Sequence, residues 1–255
     1  MIDLILDYSL VIFLFFLISI LYSSVGFGGG SSYLAVLTLT VLAFTQIRTT
    51  ALLCNLVVVS GNVFYYQKEK QLNFKKIYPL VILSIPFAYL GGILRINAQL
   101  FYFLLSILLI ITAITMWISK NKKTIDFSKK KYITLKNSFL GGIIGFFSGL
   151  VGIGGGILLA PILHLTNWGT SKKIAAAASF FILVNSVAGL LGQISNANFK
   201  LNWQLTSILI ATVFVGGKIG RSIGNRYLSA LQLKKATALL IACIGIKILL
   251  ETSFN

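Results

Sequence analysis

The chain has 255 residues, of which 57% are hydrophobic and only 11% charged. A soluble domain carries about 25% charged residues, and the apolar runs here are too many and too long for one soluble core, which excludes a soluble globular protein. The formal net charge of +17 arises from 22 basic and 5 acidic residues, with the basic ones in short loops between apolar runs. That is the positive-inside pattern of cytoplasmic loops rather than a folded surface for nucleic acid.

In chain order, the N-terminal MIDLILDYSL lacks the basic stretch of a signal peptide, so the first apolar run is read as retained. Ten apolar segments follow. The first five are Tyr8–Val25, Tyr33–Phe44, Ala51–Tyr66, Ile77–Ile93 and Phe101–Ile118. The second five are Asn137–Val151, Ile157–Leu165, Ala175–Leu191, Leu205–Ile219 and Thr237–Leu250. A full helical span needs about 20 residues. The second and seventh segments are much shorter, and each follows a glycine cluster: VGFGGGSS at 25–32 and VGIGGG at 151–156.

The longest polar stretch, SKNKKTIDFSKKKYITLK at 119–136, holds seven lysines and divides the segments five and five. The halves resemble each other. Gly28–Gly30 match Gly154–Gly156 at an offset of 126, and Gly91-Gly92 match Gly216-Gly217 at an offset of 125. Asn55 and Gly61-Asn62 fall opposite Ser179 and Asn185-Ser186 at an offset of 124. Such regular offsets point to an internal repeat. The reading is an all-α polytopic membrane protein with a first transmembrane repeat at 1–118, a basic cytoplasmic linker at 119–136 and a second repeat at 137–255.

Loop charge sets the topology. Lys68, Lys70, Lys75 and Lys76, the 119–136 stretch, and Arg221, Arg226, Lys234 and Lys235 are all placed inside. Arg48 then falls outside, against the charge rule. Five segments per half is an odd number, so the repeats enter the membrane in opposite senses. Inverted repeats with broken or hairpin helices are a transporter architecture with its binding site near the midplane.

The glycine clusters supply a mechanism. Glycine breaks a helix at little steric cost, and the next short helix then presents unpaired N–H groups that suit an anion. Gly28, Gly29 and Gly30 in the first half and Gly154, Gly155 and Gly156 in the second are the candidate substrate-binding backbone. Ser31 and Ser32 add hydroxyls to the first cluster, where the second has Ile157 and Leu158. The competing account is close helix packing through small residues. The pairs Gly91-Gly92 and Gly216-Gly217 suit packing and a hinge equally well.

All five acids, Asp3, Asp7, Glu69, Asp126 and Glu251, lie at termini or in loops. A cation carrier or proton relay uses intramembrane carboxylates, so their placement favours an anion carrier lined by neutral donors. Coupling to protons or sodium through backbone carbonyls stays open. Asn55, Ser179 and Asn185 are the amide and hydroxyl candidates for the cavity wall, ahead of Asn62, Ser186 and Gln193. Arg95, Arg221 and Lys218 are read as interfacial, and Trp117, Trp168 and Trp203 as interface anchors. Cys54 and Cys243 are isolated within apolar segments. With one histidine and no buried acid, no residue set points to an enzyme, a metal site or a cofactor.

These motifs resemble the sulfite exporter TauE/SafE family, also called the toluene-sulfonate uptake permease family. The resemblance rests on VGFGGGSSYLAVL, SGLVGIGGGILLAPIL, TTALLCNLVVVSGN, AAAASFFILVNSVAGLLG, AYLGGILR and VFVGGKIGR, and runs from about Leu21 to Leu228. It departs at Pro161, where the first half has Val36, and at Arg48, where relatives often carry glycine or alanine. The resemblance implies secondary transport of small anions, often sulfur-containing: sulfite, sulfonates or sulfoacetate. The expected partners are a small anionic substrate, the lipid bilayer and a coupling ion, with no nucleic acid. The expected location is the prokaryotic plasma or inner membrane. The alternatives are a permease for other small carboxylates and a membrane scaffold or sensor that transports nothing.

Overall fold

The computed structural model describes residues 6–94, 96–118, 131–166, 168–195 and 201–224, with 238, 239, 242, 243, 245, 246, 249 and 250 beyond them. Among these residues all regular structure is helical. The first half contributes α1 (Ser9–Val25), α2 (Gly30–Leu37), α3 (Phe44–Lys68), α4 (Phe74–Val81), α5 (Ser84–Ile93) and α6 (Ala98–Ile118). The second contributes α7 (Lys131–Val151), α8 (Gly156–Leu165), α9 (Ser171–Ile194) and α10 (Trp203–Gly224). Four stretches are long and apolar enough to cross a membrane: Phe44–Lys68, Phe74–Ile93, Ser171–Ile194 and Trp203–Gly224.

Both glycine clusters interrupt the helices. At the end of α1, Gly26 takes φ 90°; its N–H donates to Ser23 O, and Phe27 N–H donates to Tyr22 O. This glycine cap closes the helix in a left-handed residue that other side chains adopt only with strain. Gly29, at φ 92°, then starts α2. Gly152, Gly154 and Gly155 do the same between α7 and α8, with φ of 87°, 83° and 78°. Helix α2 has 8 residues and α8 has 10, so they are about 12 and 15 Å long and reach half-way across a bilayer core of about 30 Å.

Some expected boundaries move. The second segment begins at Gly30, not Tyr33, and its helix ends at Leu37. The fourth is not one helix but two, broken at residues 82–83. Pro86 explains the break, because it has no N–H to offer Ile82 O and its ring crowds that carbonyl. Lys131–Lys136, expected in the linker, begin α7, while residues 119–130 lie outside the described residues. So does much of the tenth segment, Thr237–Leu250.

Two glycine rows fix the helix pairs. On α7, a Cβ at Gly141, Gly145 or Gly149 would run into the carbonyl oxygen of Leu80, Ser84 or Ala88. On α10, one at Gly216, Gly220 or Gly224 would run into that of Phe16, Ile20 or Ser24. The register rises together in each pair, so α7 runs parallel to α4 and α5, and α10 parallel to α1. Gly91-Gly92 and Gly216-Gly217 thus belong to packing: Gly92 sits on Gly189 O and Gly217 against Val58. Small residues let membrane helices approach in this way.

Helices α3 and α9 form the centre and run antiparallel, since Thr49 meets Gln193 and Asn55 meets Ser186. At one end Lys76 Nζ lies 5.5 Å from the centroid of the Trp168 ring, so the start of α4 and the loop preceding α9 share a face. Lys75 and Lys76 in the first turn of α4 and Lys172 and Lys173 in that of α9 agree with one cytoplasmic side. The outer surface is apolar, with Leu10, Phe13, Phe139, Phe214 and Val215 exposed, whereas Ser19, Asn55, Asn62, Ser179, Asn185 and Ser186 are buried. Polar inside and apolar outside suits a protein whose solvent is lipid.

Candidate functional site

The two glycine turns meet. A Cβ at Gly30 would stand 2.6 Å from Ile153 O, so the N-terminus of α2 touches the turn that precedes α8. Asn55, on the mid-section of α3, sits between them. Its Oδ1 accepts from Gly30 N–H at 3.2 Å, and its Nδ2 donates to Ser186 Oγ at 3.0 Å and to Ile153 O at 3.5 Å. Gly28 and Gly154 also press on Asn55, and Gly156 presses on Ile182. One amide therefore contacts both clusters.

The donors expected of short helix starts are present. Among the described residues, no acceptor meets the backbone N–H of Ser31, Ser32 or Gly156. The Ser31 hydroxyl is buried with no partner, while Ser32 Oγ pairs with Tyr22 OH at 2.7 Å. On the other side Ser148 Oγ, beside Gly155, is likewise buried and unpartnered. Two helix N-termini thus meet at Asn55, with an idle hydroxyl beside each start, and each N-terminus carries a partial positive charge of about half an elementary unit. The arrangement can bind a small anion through neutral donors.

The remaining candidates separate. Ser179 Oγ bonds to Gly26 O, and also to Ala175 O at 2.8 Å, so it holds the start of the first turn. Gly29 packs on Tyr33 and Ile18. Asn185 lies on another face of α9, where Nδ2 donates to Ser84 Oγ at 3.0 Å and Oδ1 has no partner. Ser186, ranked behind it in the sequence, is the residue that reaches Asn55. One residue further along α9 is about 100° of rotation, and only the position of α3 reveals which residue faces inward.

Asn55 also lies midway along a polar stripe, with Arg48 seven residues before it and Asn62 seven after. At the Asn62 end, Ser23 Oγ donates to Asn62 Oδ1 at 2.8 Å, and Asn62 Nδ2 donates to Phe27 O at 3.0 Å. Arg221 reaches the same amide at 3.5 Å and Val58 O at 3.4 Å, over Gly61. It is thus half-buried against α3 rather than turned to the interface. Arg48 is 4% exposed. It is not a loop charge, which removes its conflict with the topology. Lys218 is exposed, as an interfacial lysine should be. Arg95 lies outside the described residues. Trp117 and Trp203 are exposed at 61% and 67%, but Trp168 is only 9% exposed beneath Lys76 and is a packed residue, not a lipid anchor.

The family profile described as sulfite exporter TauE/SafE matches residues 11–248. The chain belongs to the sulfite exporter TauE/SafE family. This TauE/SafE member is 36% identical over 237 residues to a probable membrane transporter protein of Sinorhizobium fredii, across 92% of its own length and 95% of the relative's. It is 30% identical to a probable membrane transporter protein of Methanocaldococcus jannaschii, with 94% and 95% covered. A Bacillus subtilis probable membrane transporter protein matches at 28% over 44% of the chain and 40% of its own. No solved structure matches the TauE/SafE chain. Family and helices together make it a multi-pass cell-membrane protein of a transporter family.

Proposed function

We propose that this protein is a secondary permease for small, sulfur-containing anions such as sulfite, sulfonates or sulfoacetate, in a prokaryotic inner membrane. The observation that carries the reading is the meeting of two buried helix N-termini at Asn55, with N–H groups of Ser31, Ser32 and Gly156 lacking acceptors. Gly28, Gly29, Gly30, Ser31, Ser32, Asn55, Gly154, Gly155, Gly156 and Ser179 form its substrate site, and Asn185 braces α9 behind it. In this state Asn55 occupies the place of the ligand, its Oδ1 accepting from Gly30 as an anion oxygen would.

The architecture is two inverted five-segment repeats, 1–118 and 137–255, joined by a basic cytoplasmic linker at 119–136. Support comes from the reciprocal pairing of α1 with α10 and of α7 with α5, and from the antiparallel crossing of α3 and α9. Rocking one repeat against the other would open the Asn55 level to each side in turn. Proteoliposomes loaded with labelled sulfite, sulfoacetate, acetate or chloride test the reading, with proton and sodium gradients imposed in separate arms. Uptake of the sulfur oxyanions above protein-free vesicles is expected. Absence of flux for the whole panel overturns the permease reading, and flux of acetate alone overturns the sulfur preference.

A further inference from the structure

Among the described residues, no acidic side chain neutralises the Arg48 cation. It lies on the second turn of α3 and is 4% exposed. Among the described residues its guanidinium makes one hydrogen bond, from Nη2 to Gly149 O at 3.0 Å, and its Nε is buried without an acceptor. Among the described residues the acids are Asp7 and Glu69; both are exposed, and Glu69 is at the opposite end of α3. Beside Arg48, Thr49 Oγ1 bonds to Gln193 Oε1 at 2.9 Å, and Gln193, 7% exposed, has its Nε2 buried and unpartnered. A buried charge of this kind is costly unless a counter-charge joins it. Inside a membrane protein it marks an ion or substrate path. A guanidinium carries five N–H donors in a planar fork that fits an oxyanion through two bonds at once.

We propose that Arg48, with Gln193, is the charged anchor of a second station for a small oxyanion at the α3–α7–α9 junction, separate from the glycine turns. Arg48 precedes Asn55 by seven residues on one helix face, so the station lies about 10 Å along the axis from the central site. It sits at the end of the bundle opposite Lys76 and Trp168. An anion held here is paired by a full charge first and handed to neutral amides next. Its part in transport rests on the permease reading, whereas binding at Arg48 does not.

Thermal unfolding of detergent-purified protein separates the two. Sodium sulfite is compared with sodium chloride at equal ionic strength, in wild type, Arg48→Met, Arg48→Lys, Gln193→Leu and Asn55→Ala. A ligand that binds only the folded state raises Tm with concentration. The expected result is a sulfite-dependent rise of several degrees in wild type, of which Asn55→Ala keeps the Arg48-dependent part. The rise is reduced in Arg48→Lys and Gln193→Leu and reduced most in Arg48→Met, which without sulfite melts no lower than wild type. In proteoliposomes Arg48→Met raises the KM for sulfite tenfold or more, with kcat within a few-fold. An Arg48-dependent rise in a protein that moves no anion sinks the permease and keeps the station. A rise of equal size in Arg48→Met, no rise in wild type, or a rise with phosphatidylglycerol micelles but not with sulfite overturns it.

Discussion

Asn55 Nδ2 stands 3.0 Å from Ser186 Oγ, and this bond ties α3 to α9 at the level where the two glycine turns touch. Replacing Asn55 by Ala leaves Gly30 N–H and Ser186 without this partner, at a cost of about 1–3 kcal/mol. Flux should fall at least tenfold while the protein still purifies as a folded species. Asn55→Asp keeps an acceptor for Gly30 but puts a negative charge where an anion would sit. It should be folded and inactive. Proteoliposome flux alongside thermal melting checks both, and normal flux in Asn55→Asp would refute the central site.

Gly29→Leu and Gly155→Leu should abolish flux while insertion persists. Both glycines hold left-handed backbone, at φ 92° and 78°, where a side chain costs about 1–2 kcal/mol. The new side chain would also meet Tyr33 and Ile18 in one case and Phe181 in the other. Membrane-fraction immunoblots paired with uptake measure the two effects, and wild-type flux in both variants would defeat the role of the turns.

The glycine rows make a different prediction. Gly145→Val and Gly220→Val push a side chain into the Ser84 and Ile20 carbonyls, which belong to backbone and cannot turn away. Overpacking costs about 1–3 kcal/mol or more, so both variants should lose monodispersity in size-exclusion chromatography. Gly142 on the same helix is the control. A Cβ there meets Leu83 Cβ at 3.4 Å, ordinary contact, so Gly142→Ala should be neutral, or stabilising by up to about 1 kcal/mol through helix propensity.

The three tryptophans should report their depth. Trp117 and Trp203 are exposed on the lipid-facing surface and Trp168 is buried under Lys76. In single-tryptophan variants, brominated lipids should quench the first two strongly and Trp168 weakly. Lys76→Ala should shift the Trp168 emission without changing the other two.

The glycine triplets, the short helices after them and the neutral polar residues within the apolar segments were legible in the sequence because each is a local departure from an apolar run. Even the break before Pro86 had a signal in the proline itself. What was hidden depends on neighbours distant in the chain. Arg48 read as a loop charge because nothing within its own segment says that α7 closes over it through Gly149, 101 residues away. Trp168 read as an anchor because its cover, Lys76, belongs to the first turn of α4, far away in the chain. The choice of Ser186 over Asn185 needs the rotational setting of α9 against α3, which no pattern along α9 encodes.

The glycine rows on α7 and α10 also bear on how this chain can drift over generations. A lipid-facing position such as Phe139 or Phe214 can trade one oily side chain for another at little cost. A row glycine cannot gain even a methyl group without separating two backbones. Substitutions tolerated in nature should therefore accumulate on the outside of the barrel of helices and spare these seams, so that ancestry remains readable there after the rest has been rewritten.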